Sequence, residues 1–280
     1  MSVAPVLAGD PLVEEAAQRA FSDLAEKRFA GRITRENLLA AVEQLGFADA
    51  APAADGEGWP AAAAIIRAQA RTAAPIDMAL LLATGDRARA IAQDPSAYFC
   101  AASVPAPDSP AASSSLSLGR CLQIGAAMGA ALELSIRYVQ DRKQFGRALA
   151  QFQAIQHSLA LAAEEVAACA TITDLALACA AREGIAAPRL PALLDAAALV
   201  AGHAVNVVYD MTHQVHGAIG FTREYALHRH SLDLLRWRDE LHLLRGGDIG
   251  CAERLGDAAL QAGSAWRAVT ASMTPGAPHG

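Results

Sequence analysis

Two short segments of the chain combine residue types that can hold an anionic, planar ligand. The first runs Tyr138-Val139-Gln140-Asp141-Arg142-Lys143-Gln144-Phe145-Gly146-Arg147-Ala148-Leu149 and continues through Gln153 to His157. An arginine at a helix end offers a planar fork of donors to a pyrophosphate, and Gly146 breaks the chain just after Arg142. Phe145 can pack on a ring, and Gln153 can donate to a phosphate or a ribose. The second segment is Gln214-Val215-His216-Gly217-Ala218-Ile219-Gly220-Phe221-Thr222-Arg223-Glu224-Tyr225. Its glycines can turn the chain between helices and let backbone approach a ligand closely. On a plainer reading the arginine satisfies helix-end carbonyls and the glycines are turn residues. Either segment alone fits that reading; the two in order favour the ligand.

The elements that must position them are helices. Roughly a quarter of the 280 residues are alanine, the best intrinsic helix former, and aromatics are only 5%. Hydrophobic residues at 53% against 19% charged supply a sizeable core and exclude overall disorder. The fold class is all-α, with short N-terminal helices and a C-terminal antiparallel bundle. Apolar spacing predicts helices over 11–29, from a cap at Thr34 to Gly46, over 61–73 and over 76–92, with a loop at 50–60. Residues 94–117 hold four prolines and a serine run, and read as a linker whose one strand-compatible piece is Tyr98 to Val104. Long helices follow over 118–142, 152–182, 191–213, 224–236 and 241–255. The domain reading is therefore 1–93, linker 94–117, bundle 118–256 and a fraying tail 257–280.

Charge and composition exclude several classes. A net charge of −6 argues against nucleic acid, which is held by clustered Lys and Arg. No uninterrupted apolar stretch of about 18 residues stands out as a membrane span. Met1 to Asp10 lacks the basic and apolar pattern of a secretory signal. Cys100, Cys121, Cys169, Cys179 and Cys251 are scattered without C-x-x-C spacing, so buried reduced thiols in the cytoplasm are expected. His213, His216 and His203 have no carboxylate at ligand spacing, which leaves no metal site. They read as hydrogen-bonded or exposed imidazoles, and His228, His230 and His242 as members of a polar helix face. Ser113 to Ser115 lack the G-x-S-x-G setting of a nucleophile and belong to the linker. Glu164-Glu165 is a solvated helix face.

The two segments together resemble the C-terminal helical domain of flavin-dependent acyl-CoA dehydrogenases. In that family an R-x-x-F-G turn followed by F/H-Q-x-x-Q, and later Q-x-x-G-G-x-G-F, mark the domain. The resemblance covers roughly Ser117 to Leu255, with Ala218 where the family usually has a second glycine. It implies FAD as cofactor, gripped across a subunit interface. Arg142, Phe145 and Gln153 would hold the pyrophosphate side, and Gln214, Gly217 and Ala218 the adenosine side. Family members also carry a β domain between two helical domains, and here that region looks deleted or vestigial. The resemblance thus implies a hetero-oligomer, α2β2, with a full-length acyl-CoA dehydrogenase-like partner.

Dehydrogenation of an acyl-CoA thioester needs a carboxylate for the α-proton while the β-hydride goes to flavin. The family's usual base lies in a Y-E-G-T-x-Q segment about twenty residues past the glycine turn. Here that stretch reads Leu235-Arg236-Trp237-Arg238-Asp239-Glu240-Leu241, so the resemblance points to Glu240, with Asp239 as alternative and the Gly-Thr-x-Gln missing. The plain reading of Arg236 to Glu240 is a paired, solvated charge cluster at a helix end. Two functions from different classes follow. One is a catalytic subunit passing electrons to an electron-transfer flavoprotein, its acyl-CoA a bulky one such as a sterol fragment. The other is a non-catalytic subunit that completes and stabilises a partner's flavin site; a helical interaction protein without flavin is a weaker third.

Overall fold

The structure is a computed structural model that describes residues 11–91 and 107–270. Five helices come first: α1 (Pro11–Phe29), α2 (Arg35–Gln44), α3 (Trp59–Thr72), α4 (Met78–Thr84) and α5 (Arg87–Ile91). Then come α6 (Pro110–Asp141), α7 (Gln153–Glu183), α8 (Leu190–His216), α9 (Leu227–Leu244), α10 (Gly247–Ala262) and α11 (Ala265–Thr270). The strands among the described residues are β1 (Lys143–Gln144) and β2 (Arg147–Ala148), a small hairpin between α6 and α7. The all-α expectation holds.

Helices α6 to α9 run up and down, each joined to the next by a short turn, as antiparallel neighbours must be. Their core stacks Ile124 and Met128 of α6, Val205 and Val208 of α8, and Leu234 and Trp237 of α9. Small residues let the helices approach. A β-carbon on Gly119 would lie 2.7 Å from that of Ala79, so α4 and α6 meet almost backbone to backbone. The N-terminal helices have no separate core: Phe21, Trp59, Ile66 and Met78 share one apolar cluster with Leu118, Leu177 and Leu193 of the bundle. Helix α8 with its following turn is long and apolar enough to cross a membrane by composition alone. Here it is a core helix, packed on α6, α7, α9 and α10. Its fully buried Asp195 is bound by both Arg245 and Arg254.

Four boundaries differ from the sequence reading. Helix α6 begins at Pro110, because proline suits the first helical position and the Ser109 hydroxyl accepts the Ala112 N–H at 3.1 Å. Residues 110–117, Ser113 to Ser115 included, are therefore helix and not linker; Tyr98 to Val104 lies outside the described residues. The expected helix over 76–92 is split into α4 and α5 by Gly85, at φ 70°. Helix α9 runs unbroken through 236–241, since Trp237 and Leu241 continue its buried stripe, and the chain turns only at Gly246-Gly247, at φ 72° and 79°. Residues 257–270 form the end of α10 and α11, which packs back on α10, so they do not fray.

Candidate functional site

Both motif segments lie at one end of the bundle. Helix α6 ends at Asp141, and Arg142 turns extended while its N–H still reaches the Tyr138 carbonyl at 2.9 Å. In the hairpin that follows, Lys143 pairs with Ala148 and Gln144 with Arg147. Phe145 and Gly146 are left as the two loop residues, at φ 52° and 80°. Two left-handed residues in succession make the tight hairpin turn that Asn-Gly fills readily and a bulky residue does not. The Phe145 ring is 90% exposed and meets Phe152 only at its edge, centroids 6.2 Å apart. An aromatic held in a strained backbone and then left to water serves the fold on neither count, and it leaves the ring face open to a ligand. Phe145→Asn should therefore stabilise the chain by about 1 kcal/mol while weakening ring binding. Thermal denaturation checks this, and a lowered midpoint would make the ring a fold contact instead.

Around that hairpin the donor set assembles. Arg142 is exposed, and Gln153, also exposed, opens α7, whose first N–H groups have no side-chain cap. Gln214 is exposed on the last turn of α8. Gly217 sits at φ 64°, ψ −145°, a conformation open to glycine alone. Ala218 is outside the positive-φ residues, so alanine adopts this backbone without strain. The two turns are joined by a stack of Tyr138 on His216, ring centroids 4.4 Å apart. The exposed Arg142 guanidinium, two carboxamides, an exposed ring and glycine backbone suit a pyrophosphate, its ribose and a planar ring. The residues present fit a dinucleotide.

Glu240 is elsewhere. It lies against Arg120, and Arg120 to Arg142 is 22 residues of one helix, about 33 Å. The Glu240 carboxylate is 2.6 Å from Nη2 of Arg120 and 3.7 Å from Nε of Arg236. Arg120 is fully buried and also grips both oxygens of Asp77, at 2.6 and 2.7 Å. Asp77 in turn caps α4 through the Leu80 N–H. Gln123 links Arg120 to Gln69, whose amide donates to the Ala74 carbonyl. Burial alone would raise the Asp77 carboxyl, but the Arg120 and Arg236 guanidiniums outweigh it and hold it well below the usual carboxylate range. The segment from Arg236 to Glu240 is thus not a solvated cluster: Trp237 is fully buried, and only Asp239, paired with Arg238 at 2.7 Å, is exposed.

Sequence reasoning missed Asp77, Arg120, Gln69 and Gln123. The signal was Arg120 and Gln123 standing inside the otherwise apolar face from Leu116 to Met128, since a charge there needs a buried partner. The histidines also differ from expectation. His230 is buried, not on a polar face, and burial pushes it down to about 4. His213 is likewise pushed to about 4 by burial, and His216 is lowered for the same reason. Burial raises all four described cysteines, to about 11 at Cys169 and Cys251, so they stay protonated and inert.

The family model described as acyl-CoA dehydrogenase, C-terminal domain, matches residues 110–238. That segment resembles the C-terminal helical domain of acyl-CoA dehydrogenases. The match spans both motif turns and most of α6 to α9, and stops two residues short of Glu240. Among solved structures, the chain is similar to a variant of the Tcur3481-Tcur3483 steroid ACAD, with 21% identity and a TM-score of 0.66 over 91% of this chain and 98% of that one. It is similar also to a chain of the ChsE4-ChsE5 complex from Mycobacterium tuberculosis, with 14% identity and a TM-score of 0.65 over 98% and 99%. At those identities the likeness is one of fold, here over nearly the whole of both chains. No curated protein matches the chain.

Proposed function

We propose that the chain is a subunit of an FAD-dependent acyl-CoA dehydrogenase, and that its contribution is a flavin clamp completed by a partner chain. The observation that carries this reading is the strained, exposed Phe145 beside Arg142, set next to the Gln214–Gly217 turn by the Tyr138–His216 stack. FAD bound there would supply hydride acceptance. Arg142 binds phosphate, Phe145 covers a ring, and Gln153 and Gln214 orient the sugar and phosphate hydroxyls and oxygens. Both fold neighbours named above come from proteins named as pairs of chains, which supports a heteromer with a longer acyl-CoA dehydrogenase-like subunit. An acyl-CoA substrate, with electrons leaving to an electron-transfer flavoprotein, follows from the same family reading.

Glu240 supports the clamp reading over a catalytic one, because its carboxylate is engaged by the Arg120 and Arg236 guanidiniums. A second reading keeps it as the base, since its side chain retains 16% exposure. One experiment on the complex with its partner tests both. Arg142→Ala should cost about one to two decades in FAD affinity, the worth of a charge-assisted phosphate contact. Unchanged affinity would make Arg142 a helix-end residue and sink the clamp. Glu240→Gln should leave anaerobic flavin bleaching by substrate within a few-fold of normal, as should the control Asp239→Asn. A fall of about 10²–10⁴-fold with Glu240→Gln alone would return the base to this chain.

A further inference from the structure

We infer that Tyr138, His216 and Tyr225 form a joint that locks the two motif turns into one surface, and that they are positioning residues for the cofactor. This rests on the clamp reading but concerns residues that touch no phosphate or ring themselves. Tyr138 stands one helical turn before Arg142. Its ring lies on His216 with planes 28° apart, and meets Tyr225 edge-on at 6.1 Å. His216 is the residue just before Gly217, so the stack ties the arginine's helix end directly to the glycine turn.

The hydrogen bonds fix the imidazole that does this. Nδ1 of His216 lies 2.8 Å from the Thr212 carbonyl, which can only accept, so Nδ1 carries the proton. Nε2 is then the acceptor and takes the Tyr225 O–H at 3.1 Å. Tyr225 follows the glycine turn, and His216 precedes it, so this bond closes the turn on itself. A second layer supports the first from below. His213 stacks on Phe221 at 4.2 Å, and its Nε2 lies 2.6 Å from the Ser231 hydroxyl of α9. Gly220 is pressed against both histidines; a β-carbon there would lie 3.1 Å from His213 Nδ1 and from His216 Cβ. The turn that carries Gly217 and Ala218 is thus braced on three sides, by α6, by α9 and by its own Tyr225.

A clamp built on two separate turns binds only when both are in register, because a ligand that must order them first loses affinity. In the complex, Tyr138→Leu should lower FAD affinity about three- to tenfold, the worth of an aromatic stack, while Tyr138→Phe keeps the stack and behaves as wild type. Tyr225→Phe removes one hydroxyl, leaves His216 Nε2 without its donor, and should weaken FAD in the same direction. In the chain without cofactor, amide exchange over 214–222 should quicken in Tyr138→Leu and Tyr225→Phe while the unfolding midpoint stays close to normal. Wild-type FAD affinity and wild-type exchange in both variants would overturn the joint. If Arg142→Ala weakens FAD and these two do not, the joint alone is wrong. If Arg142→Ala also leaves FAD unchanged while exchange does quicken, the turns are coupled but the clamp reading falls.

Discussion

Replacing Arg120 with methionine is expected to lower the stability of the chain by about 3–5 kcal/mol, the cost of leaving a buried charge without its partner. Arg120 is 1% exposed and answers two carboxylates, Asp77 from α4 and Glu240 from α9. Methionine fills the space but strands Asp77, which is 2% exposed and can escape neither to solvent nor to a second full partner. Arg236 is 3.7 Å from Asp77 and softens the loss without replacing the bidentate pair. Adding Asp77→Asn to Arg120→Met should recover much of the stability, because the double variant buries no unmatched charge at that place. Urea unfolding of the two single variants and the double variant measures this. Equal losses in Arg120→Met and in the double variant would mean that the network contributes by packing alone. The clamp, about 33 Å along α6, should keep its shape below the lowered midpoint. An FAD affinity unchanged by Arg120→Met would separate this network from the site.

What could be read from the sequence was what local chemistry fixes. Gly217 and Gly146 sit where backbone conformation admits glycine, so a turn and its boundary could be named without knowing the fold. The thirty-odd residues of α6 and α7 follow from alanine and leucine spacing, with Gly184 closing α7 where a helix-ending glycine belongs. The hairpin at 143–148 was hidden, because two residues per strand are too few for an alternating pattern. The strain at Phe145 was hidden with it, since the residue type argues against the backbone that it adopts. Long-range pairing was hidden altogether. Arg236 and Glu240 look like a solvated helix end until Asp77 and Arg120, remote in sequence, are brought beside them. The end of α9 is hidden for the same reason, since a charged stretch reads as a surface.

Acidification supplies the second large effect, and its sign follows from the buried histidines. His213 and His230 are each 5% exposed and held near 4, against an ordinary value of 6.5. Ser231 spends its hydroxyl proton on the Leu227 carbonyl, so it accepts from Nε2 of His213, and a second proton would have to enter at Nδ1. That nitrogen is buried without a partner, wedged against Gly220. Nδ1 of His230 is buried and unpartnered in the same way, and Arg229 and Arg71 repel a proton there. Between pH 6.5 and 4 the unfolded chain takes up these protons and the folded chain does not. Stability is therefore fully present above pH 6.5 and is lost as pH falls through that window, by about 3 kcal/mol for each histidine. Asp77, held ionised in the folded chain, adds to the loss only near and below its ordinary value of 3.8, where the unfolded chain takes up its proton. The unfolding midpoint should drop by on the order of 10 °C from pH 6.5 to 4.5. His213→Gln and His230→Leu should each flatten the profile, whatever they do to stability at neutral pH; a profile as steep in both variants as in wild type would show that these imidazoles titrate normally. The two differ in place, and that gives the measurement its functional edge. His213 braces the glycine turn directly, whereas His230 lies within α9 beside Arg71 of α3. Loss of FAD from the folded chain near and below pH 4, where His213 itself takes a proton, should therefore be blunted by His213→Gln and left intact by His230→Leu, because only the first removes a proton acceptor from beneath the clamp.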